Sequence, residues 1–239
     1  MGYNNPFNTS ASESFVDADS LTGQKPGRTL WHGMSQQTFM SKVVPYFGVG
    51  LLITALGTHF GKNIGTGFLL IGALLNIALY FVLLWQRHTP GLNVALFYGY
   101  TFANGLLLGP LVALANAVSP LIVIQALAIT AVGFFAIAAY VMTTGKDFSG
   151  IGPYLFAGIL VVIVASIVNF FTGGTGLFLG ISILSAVLFM GFTAYDMSNI
   201  MHKFRDEEYI FATVELYLDF LNLFVAILRI LIVMSSRRD

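Results

Sequence analysis

The sequence contains no cysteine and few charged residues, and both shortages narrow what the protein can be. Only 9% of its 239 residues are charged, whereas 56% are hydrophobic. Soluble domains carry about 25% charged residues, so this chain has too few charges to cover a water-facing surface. The lack of cysteine excludes disulfides, thiolate metal sites and a cysteine nucleophile. The shortage of charged residues makes a lipid bilayer the expected surroundings, and the net charge of zero gives no indication of a nucleic-acid partner.

Seven apolar runs account for most of the chain. A bilayer core requires about 20 apolar residues for each helix that crosses it. The runs lie at 43–61, 66–86, 93–116, 121–144, 151–171, 177–200 and 211–234. Short polar connections separate them, which makes consecutive helices antiparallel neighbours. The sequence therefore predicts an all-α membrane protein, with a seven-helix transmembrane domain at 43–235. A polar cytoplasmic tail at 1–42, which we expect to be disordered, precedes it.

Basic residues predict the orientation, because the cytoplasmic segments of membrane proteins are enriched in lysine and arginine. If the N-terminus is cytoplasmic, seven basic residues of the tail and loops fall inside and three fall outside. The inside residues are Lys25, Arg28, Lys42, Arg87, Lys146, Lys203 and Arg205. The outside residues are Lys62, Arg237 and Arg238. The two C-terminal arginines argue for the opposite orientation, so the side of the C-terminus stays open.

Small residues at helix-contact spacing predict two places of close packing. Gly105 and Gly109 are four residues apart, as are Gly176 and Gly180. Glycines at this spacing let two membrane helices approach closely. No strand is predicted before either pair, so we favour helix packing over nucleotide binding.

Three acidic residues lie within predicted membrane helices, where an ionised carboxylate costs about 2.5–3.5 kcal/mol at the helix centre. Asp196 lies near the end of the sixth helix, and Glu215 and Asp219 lie in the first half of the seventh. Two carboxyl groups close together in a poorly solvated place cannot both ionise easily, so they share a proton. We therefore predict that Asp196 and Asp219 face each other as a pH-dependent switch, with Arg87 as a candidate counter-ion.

Each acid also has a simpler interpretation, as a residue that reaches the membrane surface or caps a helix. For Asp196 alone this interpretation is as good as the functional one. For Glu215, which lies nearer the boundary, we favour it. Asp219 lies deeper, among leucines, which weakens the simpler interpretation there. The sequence has neither a His-x-x-x-His pair nor a Gly-x-Ser-x-Gly motif, so a zinc site and a serine hydrolase are not predicted.

Two stretches around these acids resemble the signature of a known family. They read Ala-Tyr-Asp-Met-Ser-Asn-Ile at 194–200 and Leu-Tyr-Leu-Asp-Phe-Leu-Asn-Leu-Phe at 216–224. Further matches are Asn-Gly-Leu-Leu-Leu-Gly-Pro at 104–110, Asp-Phe-Ser at 147–149 and Ile-Leu-Arg-Ile-Leu at 227–231. On these residues the chain, over roughly 35–235, resembles the Bax inhibitor-1 family, also called TMBIM, whose bacterial branch includes YccA-like proteins.

The resemblance implies a seven-helix bundle with the last helix near its centre. It implies a di-aspartyl pH sensor, matched here by Asp196 and Asp219, and an arginine latch on the second helix, matched by Arg87. The implied activity is a slow, pH-sensitive calcium leak, with calcium as the permeant or bound ion at the aspartates and no cofactor. The expected location of such a bacterial member is the inner membrane. Bacterial relatives carry a glutamate where this chain has Asn76, whereas Glu215 has an acidic counterpart in some eukaryotic members and is a further cation-binding candidate.

Three functions follow as hypotheses. The first is a calcium leak channel gated by the aspartate pair. The second is a non-conducting partner of a membrane-bound quality-control protease, which other bacterial members resemble. The third is an intramembrane aspartyl protease, because Tyr195-Asp196 looks like half of that site. The other half reads Gly-x-Gly-Asp in such proteases, whereas this chain has leucine at 216 and 218, so we predict that the protein is not an enzyme.

Overall fold

The computed structural model describes residues 36–236, which form seven long helices and two single 3-10 turns. Each long helix is long and apolar enough to cross a membrane. The helices are α1 Gln36–Gly61, α2 Thr66–Trp85, α3 Leu92–Val118, α4 Leu121–Thr144, α5 Gly152–Thr172, α6 Thr175–His202 and α7 Tyr209–Ser235. The predicted all-α fold with seven membrane-spanning helices is therefore confirmed, and the protein is a multi-pass membrane protein.

The first helix begins at Gln36, earlier than the predicted start at 43. Phe39 and Val43 are completely buried in the main core, so the additional turns pack against the rest of the bundle. The sequence pattern missed these turns because polar residues such as Gln37 and Ser41 alternate there with the apolar ones. The remaining part of the predicted tail, 1–35, lies outside the described residues.

The last helix lies at the centre of the bundle. Of the residues in its most apolar segment, 61% are buried, compared with 11% in the corresponding segments of α2 and α5. It packs against α1, α3, α4 and α6. Its buried side chains point in several directions around the helix, as a helix surrounded by others requires. The predicted central position of the last helix is confirmed.

Glycines bring α1 and α3 into backbone contact. A Cβ atom on Gly105 would overlap the carbonyl oxygen of Thr54, and one on Gly109 would overlap the backbone of Gly61. Gly57 of α1 likewise leaves no room for a side chain, because the backbone of α3 passes over it. The pair at 105 and 109 therefore packs as this glycine spacing predicts, and it does so because α1 supplies matching glycines.

The second predicted glycine pair behaves differently. Gly176 and Gly180 lie at the start of α6 and are exposed, and a Cβ atom on either would meet nothing within 4 Å. The predicted packing role of this pair is therefore wrong within this chain. Spacing alone does not create a contact, because a second helix with a flat surface must face the glycines.

The antiparallel order places the connections at two ends of the bundle. We call the end that contains the connections 86–91, 145–151 and 203–208 the acidic end. The opposite end contains the connections 62–65, 119–120 and 173–174. Every aspartate and glutamate within 36–236 lies in the half nearer the acidic end: Asp147, Asp196, Asp206, Glu207, Glu208, Glu215 and Asp219. This asymmetry separates two regions of different chemistry along the membrane-crossing direction.

Candidate functional site

Two carboxylic acids meet where α6 packs on α7. Asp196 is 8% exposed and Asp219 is 3% exposed, and their side chains are hydrogen-bonded to each other. An ionised carboxylate only accepts hydrogen bonds, so this contact requires a proton on one of the two groups. The side chain of Asn199, one turn further along α6, lies beside Asp196. The structure thus brings the two predicted aspartates together.

The pair is left with unused hydrogen-bonding capacity. One carboxyl oxygen of Asp219, Oδ2, is buried and has no hydrogen-bond partner within 36–236. The amide oxygen of Asn199 is likewise buried and has no hydrogen-bond partner among these residues. Buried polar atoms in native proteins are almost always paired, so unpaired ones require a reason. Two unpaired acceptor atoms, one from Asp219 and one from Asn199, therefore remain beside the two carboxyl groups.

Glu215 belongs to the same cluster. It lies one turn before Asp219 on α7, and its charge interacts with both Asp196 and Asp219. Its Oε2 atom is buried without a hydrogen-bond partner in the described part of the chain. The Tyr80 side chain of α2 lies close enough to interact electrostatically with Glu215 and Asp196. Glu215 is thus half-buried beside the pair, and its role as a residue that reaches the membrane surface stays a prediction.

Arg87, the predicted latch, does not contact the aspartates in this conformation. It lies in the exposed turn after α2, where its Nε donates to Nε2 of His88 over 2.9 Å. Its guanidinium lies over the ring of Phe211 on α7, 5.7 Å from the ring centroid. Phe211 precedes Glu215 by one turn and Asp219 by two. Arg87 therefore touches the helix that carries the pair without forming an ion pair with it.

A second cation lies on the first turn of α7 in the same way. The Nζ atom of Lys42 is 5.4 Å from the centroid of the Tyr209 ring. Tyr209 also packs on Tyr46 of α1, with ring centroids 5.6 Å apart. Two cations thus lie on aromatic rings at the beginning of α7. Lys42 comes from α1 and Arg87 from the turn after α2.

Calcium has few ligands at this site. Within 36–236 no group of three or more histidine, aspartate or glutamate side chains has the arrangement of a metal site. Calcium takes six to eight oxygen ligands, and the two aspartates supply at most four. Asn76 is buried but lines a separate cavity with Ala103 and Leu106 of α3. The geometry therefore suits a weakly held, partly hydrated ion more than a resident one.

A polar contact that the sequence did not predict lies beside the pair. The Ser198 hydroxyl accepts from the backbone N–H of Phe148 over 2.8 Å and donates to Oδ1 of Asp147 over 3.2 Å. The same Asp147 oxygen accepts from the backbone N–H of Ser149 over 2.8 Å. These bonds tie the α4–α5 connection to α6, two residues from Asp196. The Asp-Phe-Ser stretch at 147–149 was the only sequence feature that pointed to this connection. Its distance along the chain from Ser198 does not indicate that the two are in contact.

Hydrogen bonding also shifts the titration of this loop. The bonds that Asp147 accepts from the backbone and side chain of Ser149, with a smaller contribution from Ser198, hold its pKa below the ordinary value. A Coulombic interaction with the His202 ring lowers the pKa of Asp147 further. Asp147 is therefore ionised at every pH at which the buried pair can be expected to exchange its proton.

Comparison with known proteins places the chain in a family. Residues 36–237 match the family described as inhibitor of apoptosis-promoting Bax1. The chain belongs to the Bax inhibitor-1 family. The resemblance predicted from the aspartate stretches is therefore confirmed, and the Bax inhibitor-1 match covers all seven helices.

Relatives in this family come from bacteria, animals and viruses. An uncharacterized protein of Campylobacter jejuni is 35% identical over 208 residues, which cover 83% of this chain and 90% of the relative. Protein lifeguard 4 of Mus musculus is 31% identical over 204 residues, which cover 85% and 83%. A Golgi anti-apoptotic protein of vaccinia virus is 33% identical over 162 residues, which cover 68% and 67%.

Proposed function

We propose that this Bax inhibitor-1 family member is a slow, pH-sensitive calcium leak channel of a bacterial inner membrane, gated by Asp196 and Asp219. The observation that carries the proposal is the contact between two buried carboxyl groups on neighbouring membrane helices. Acids inside a membrane are costly, and they mark ion and proton pathways far more often than packing positions. The N-terminus and the 203–208 connection lie on the cytoplasmic side in this proposal, as the basic residues predict.

The shared proton is the proposed gate. With the proton in place, Asp196 and Asp219 hold α6 against α7. When the proton leaves, two carboxylates remain in a poorly solvated place, and their repulsion favours an arrangement in which the helices separate. Calcium neutralises the same charge, so calcium and protons compete for the pair. Glu215, one turn nearer the cytoplasm, would receive the ion before or after it passes the pair.

Arg87 is proposed to act on the ionised form of the pair. In the proposed closed form the two aspartates share one proton, so neither needs a cationic partner, and Arg87 lies over the ring of Phe211. Once an aspartate is ionised, the guanidinium is the cation nearest to that part of α7 on the α2 side. An ion pair between them would hold the closed form until calcium replaces it.

A second function is a non-conducting partner of a membrane-bound quality-control protease. The observation that favours it is the small number of calcium ligands, together with a neutral amide at Asn76. Proteolysis by the chain itself is not proposed. Leu216 and Leu218 stand where an aspartyl protease has glycines, and Leu216 is buried, so the backbone beside Asp219 is covered and not open to a peptide.

Calcium flux into liposomes tests the proposal. Purified protein would be reconstituted with a calcium indicator inside the vesicles and assayed at about pH 6 and about pH 8, which span the range where a buried acid pair can titrate. The wild type should show a slow flux that differs between the two values. Glu207→Gln, which neutralises an exposed acid of the 203–208 connection, should keep this difference. If the wild type shows no flux at either pH while a protease co-purifies with it, the partner function replaces the channel.

A further inference from the structure

A cavity of about 500 Å³ opens between α1, α3, α4 and α7, in the half of the bundle away from the acidic end. We propose that this cavity holds one acyl chain of an anionic phospholipid, whose phosphate group is bound by Lys62 and His59. The volume lies within the range of about 300–1,000 Å³ that is typical of ligand pockets. The proposal is independent of the calcium leak, because it concerns a different place in the bundle and a different ligand.

The interior of the cavity is apolar. Its walls are formed mainly by leucine, valine and phenylalanine side chains, including Leu108, Val112 and Phe224. Phe220 forms part of the lining and is fixed from behind by the rings of Phe47 and Phe134, at centroid distances of 5.6 and 5.4 Å. A hydrated ion would lose its water along such walls without gaining ligands. A hydrocarbon chain gains contacts there and loses nothing.

The two hydroxyl groups deep in the lining are already occupied. Thr54 donates to a backbone carbonyl and shares a 2.7 Å hydrogen bond with the Tyr217 hydroxyl. Thr58 donates to the carbonyl oxygen of Thr54 over 2.9 Å. Since these bonds lie within the protein, the hydroxyls do not require water in the cavity. The interior therefore behaves as an apolar surface despite its two threonines.

The mouth of the cavity is cationic. His59 and Lys62 line it at the end of α1, with the Lys62 Nζ atom 3.4 Å from Nδ1 of His59. Both side chains are exposed, and no acidic residue within 36–236 lies in this half of the bundle. The Lys62 ammonium group therefore has no carboxylate near it to compensate its charge. An apolar slot beneath an uncompensated cation is complementary to an acyl chain beneath a phosphate.

The cavity also opens sideways toward the lipid. Leu52 of α1 and Leu127 of α4 both line it, and Leu52 is 71% exposed on the face that the bilayer covers. A chain can therefore enter from the adjacent leaflet while its headgroup stays at the level of the connection 62–65. This geometry favours a membrane phospholipid over a ligand that arrives from the aqueous side.

Native mass spectrometry of the purified protein in a neutral detergent tests the headgroup. The protein would be mixed with equal amounts of dioleoyl phosphatidylglycerol and dioleoyl phosphatidylcholine, and the retained lipid counted. We expect phosphatidylglycerol to be retained about fivefold over phosphatidylcholine, the factor that one basic residue at a lipid headgroup provides. Lys62→Ala should bring this ratio close to one. Lys203→Ala, which removes an exposed lysine at the acidic end, should leave the ratio unchanged.

A second pair of variants tests the cavity itself. Leu127→Trp places a large side chain in the slot and should abolish retention of both lipids. Val132→Trp, an exposed position on the same helix outside the lining, should retain them. If Leu127→Trp does not run as a single species in size exclusion, Leu52→Trp from the opposite wall takes its place. Equal retention of the two lipids by the wild type, an equal loss in Lys203→Ala, or full retention by the tryptophan variants of the wall would each overturn the proposal.

Discussion

Two helix pairs in this protein are held together by opposite means. α1 and α3 meet through glycines, and their backbones touch where no side chain fits. α6 and α7 meet through Asp196 and Asp219, whose carboxyl groups lie against each other in the buried interface. The first contact contains no titratable group, whereas the second contains two carboxyl groups and is proposed to change with pH. A bundle built this way can move one pair of helices while the other stays fixed.

The difference also explains where a conformational change can be absorbed. α7 packs against both members of the fixed pair, and the Tyr217 hydroxyl is joined to Thr54 of α1 by a 2.7 Å hydrogen bond. α6 contacts α5 and α4 and has no such bond to α1 in the described residues. Separation of α6 from α7 would therefore move α6 against a frame formed by α1, α3 and α7. The glycine contact is the part of that frame that must not loosen.

The largest effect is expected when the fixed pair is broken. Gly105→Ala adds a methyl group that overlaps the Thr54 carbonyl oxygen, so the two helices must move apart. Overpacking of this kind costs about 1–3 kcal/mol of unfolding free energy. We expect a clear fall in the Tm measured by size exclusion after heating in detergent.

The matched control for this change lies on the same helix. Gly99 is exposed, and a Cβ atom there would meet nothing within 4 Å, so Gly99→Ala should leave the Tm unchanged or raise it. Equal Tm values for the two variants would mean that α1 and α3 do not meet through their backbones.

The next effect is expected at the titrating pair. In Asp219→Asn the new amide can donate to Asp196 at every pH, so the contact no longer depends on a shared proton. The ratio of calcium flux at about pH 8 to that at about pH 6 should fall to about one, because a coupled pair titrates as one unit. Asp196→Asn should do the same for the same reason.

The double variant distinguishes a pair from two separate acids. If the aspartates act together, Asp196→Asn combined with Asp219→Asn should add nothing to either single change. A double variant that loses a second, equal share of the pH response would show that each acid acts alone, and the shared-proton gate would then be wrong.

The sequence predicted the α6–α7 site better than its surroundings, for a physical reason. An acid in an apolar run is easy to recognise in a sequence, and its insertion cost means that it usually faces the interior of the bundle. Two such acids on consecutive antiparallel helices are therefore expected to lie close together. The helices themselves were predictable from apolar length, to within a few residues. The half-buried position of Glu215 was harder to predict, because it depends on how the neighbouring helices pack around α7, which no local pattern encodes. The predicted packing of Gly176 and Gly180 was wrong, since a packing motif describes one surface and the contact needs two.

Arg87 gives a smaller effect that sharpens the comparison between the two contacts. Arg87→Ala should raise the basal calcium leak by a few-fold, because the loss of an exposed ion pair changes an equilibrium by about that factor. Lys42→Ala is the matched control, since Lys42 also rests on an aromatic ring of the first turn of α7. Its leak should stay at the wild-type level, as Tyr209 remains packed on Tyr46.

A third variant separates the latch from the ring contact. Phe211→Leu removes the surface on which Arg87 rests but leaves the guanidinium free to reach an aspartate. If Arg87 acts by pairing with an ionised aspartate, Phe211→Leu should not raise the leak. A leak in Phe211→Leu as large as in Arg87→Ala would assign the role of Arg87 to its contact with α7 and remove the latch.

The smallest effect is expected at Asp147, the acid that touches α6 from outside the membrane helices. Its pKa is lowered by the hydrogen bonds from Ser149, so its contribution to stability is present above its ordinary pKa of 3.8. That contribution is lost only as the pH falls through the still lower value of the folded state. Asp147 therefore keeps its charge throughout the range in which the buried pair is proposed to titrate. Asp147→Asn should leave the midpoint of the calcium flux against pH unchanged, even if the loosened α4–α5 connection alters the flux at every pH by the same factor. A shifted midpoint in this variant would place part of the pH sensor in the loop and end the assignment of the whole response to Asp196 and Asp219.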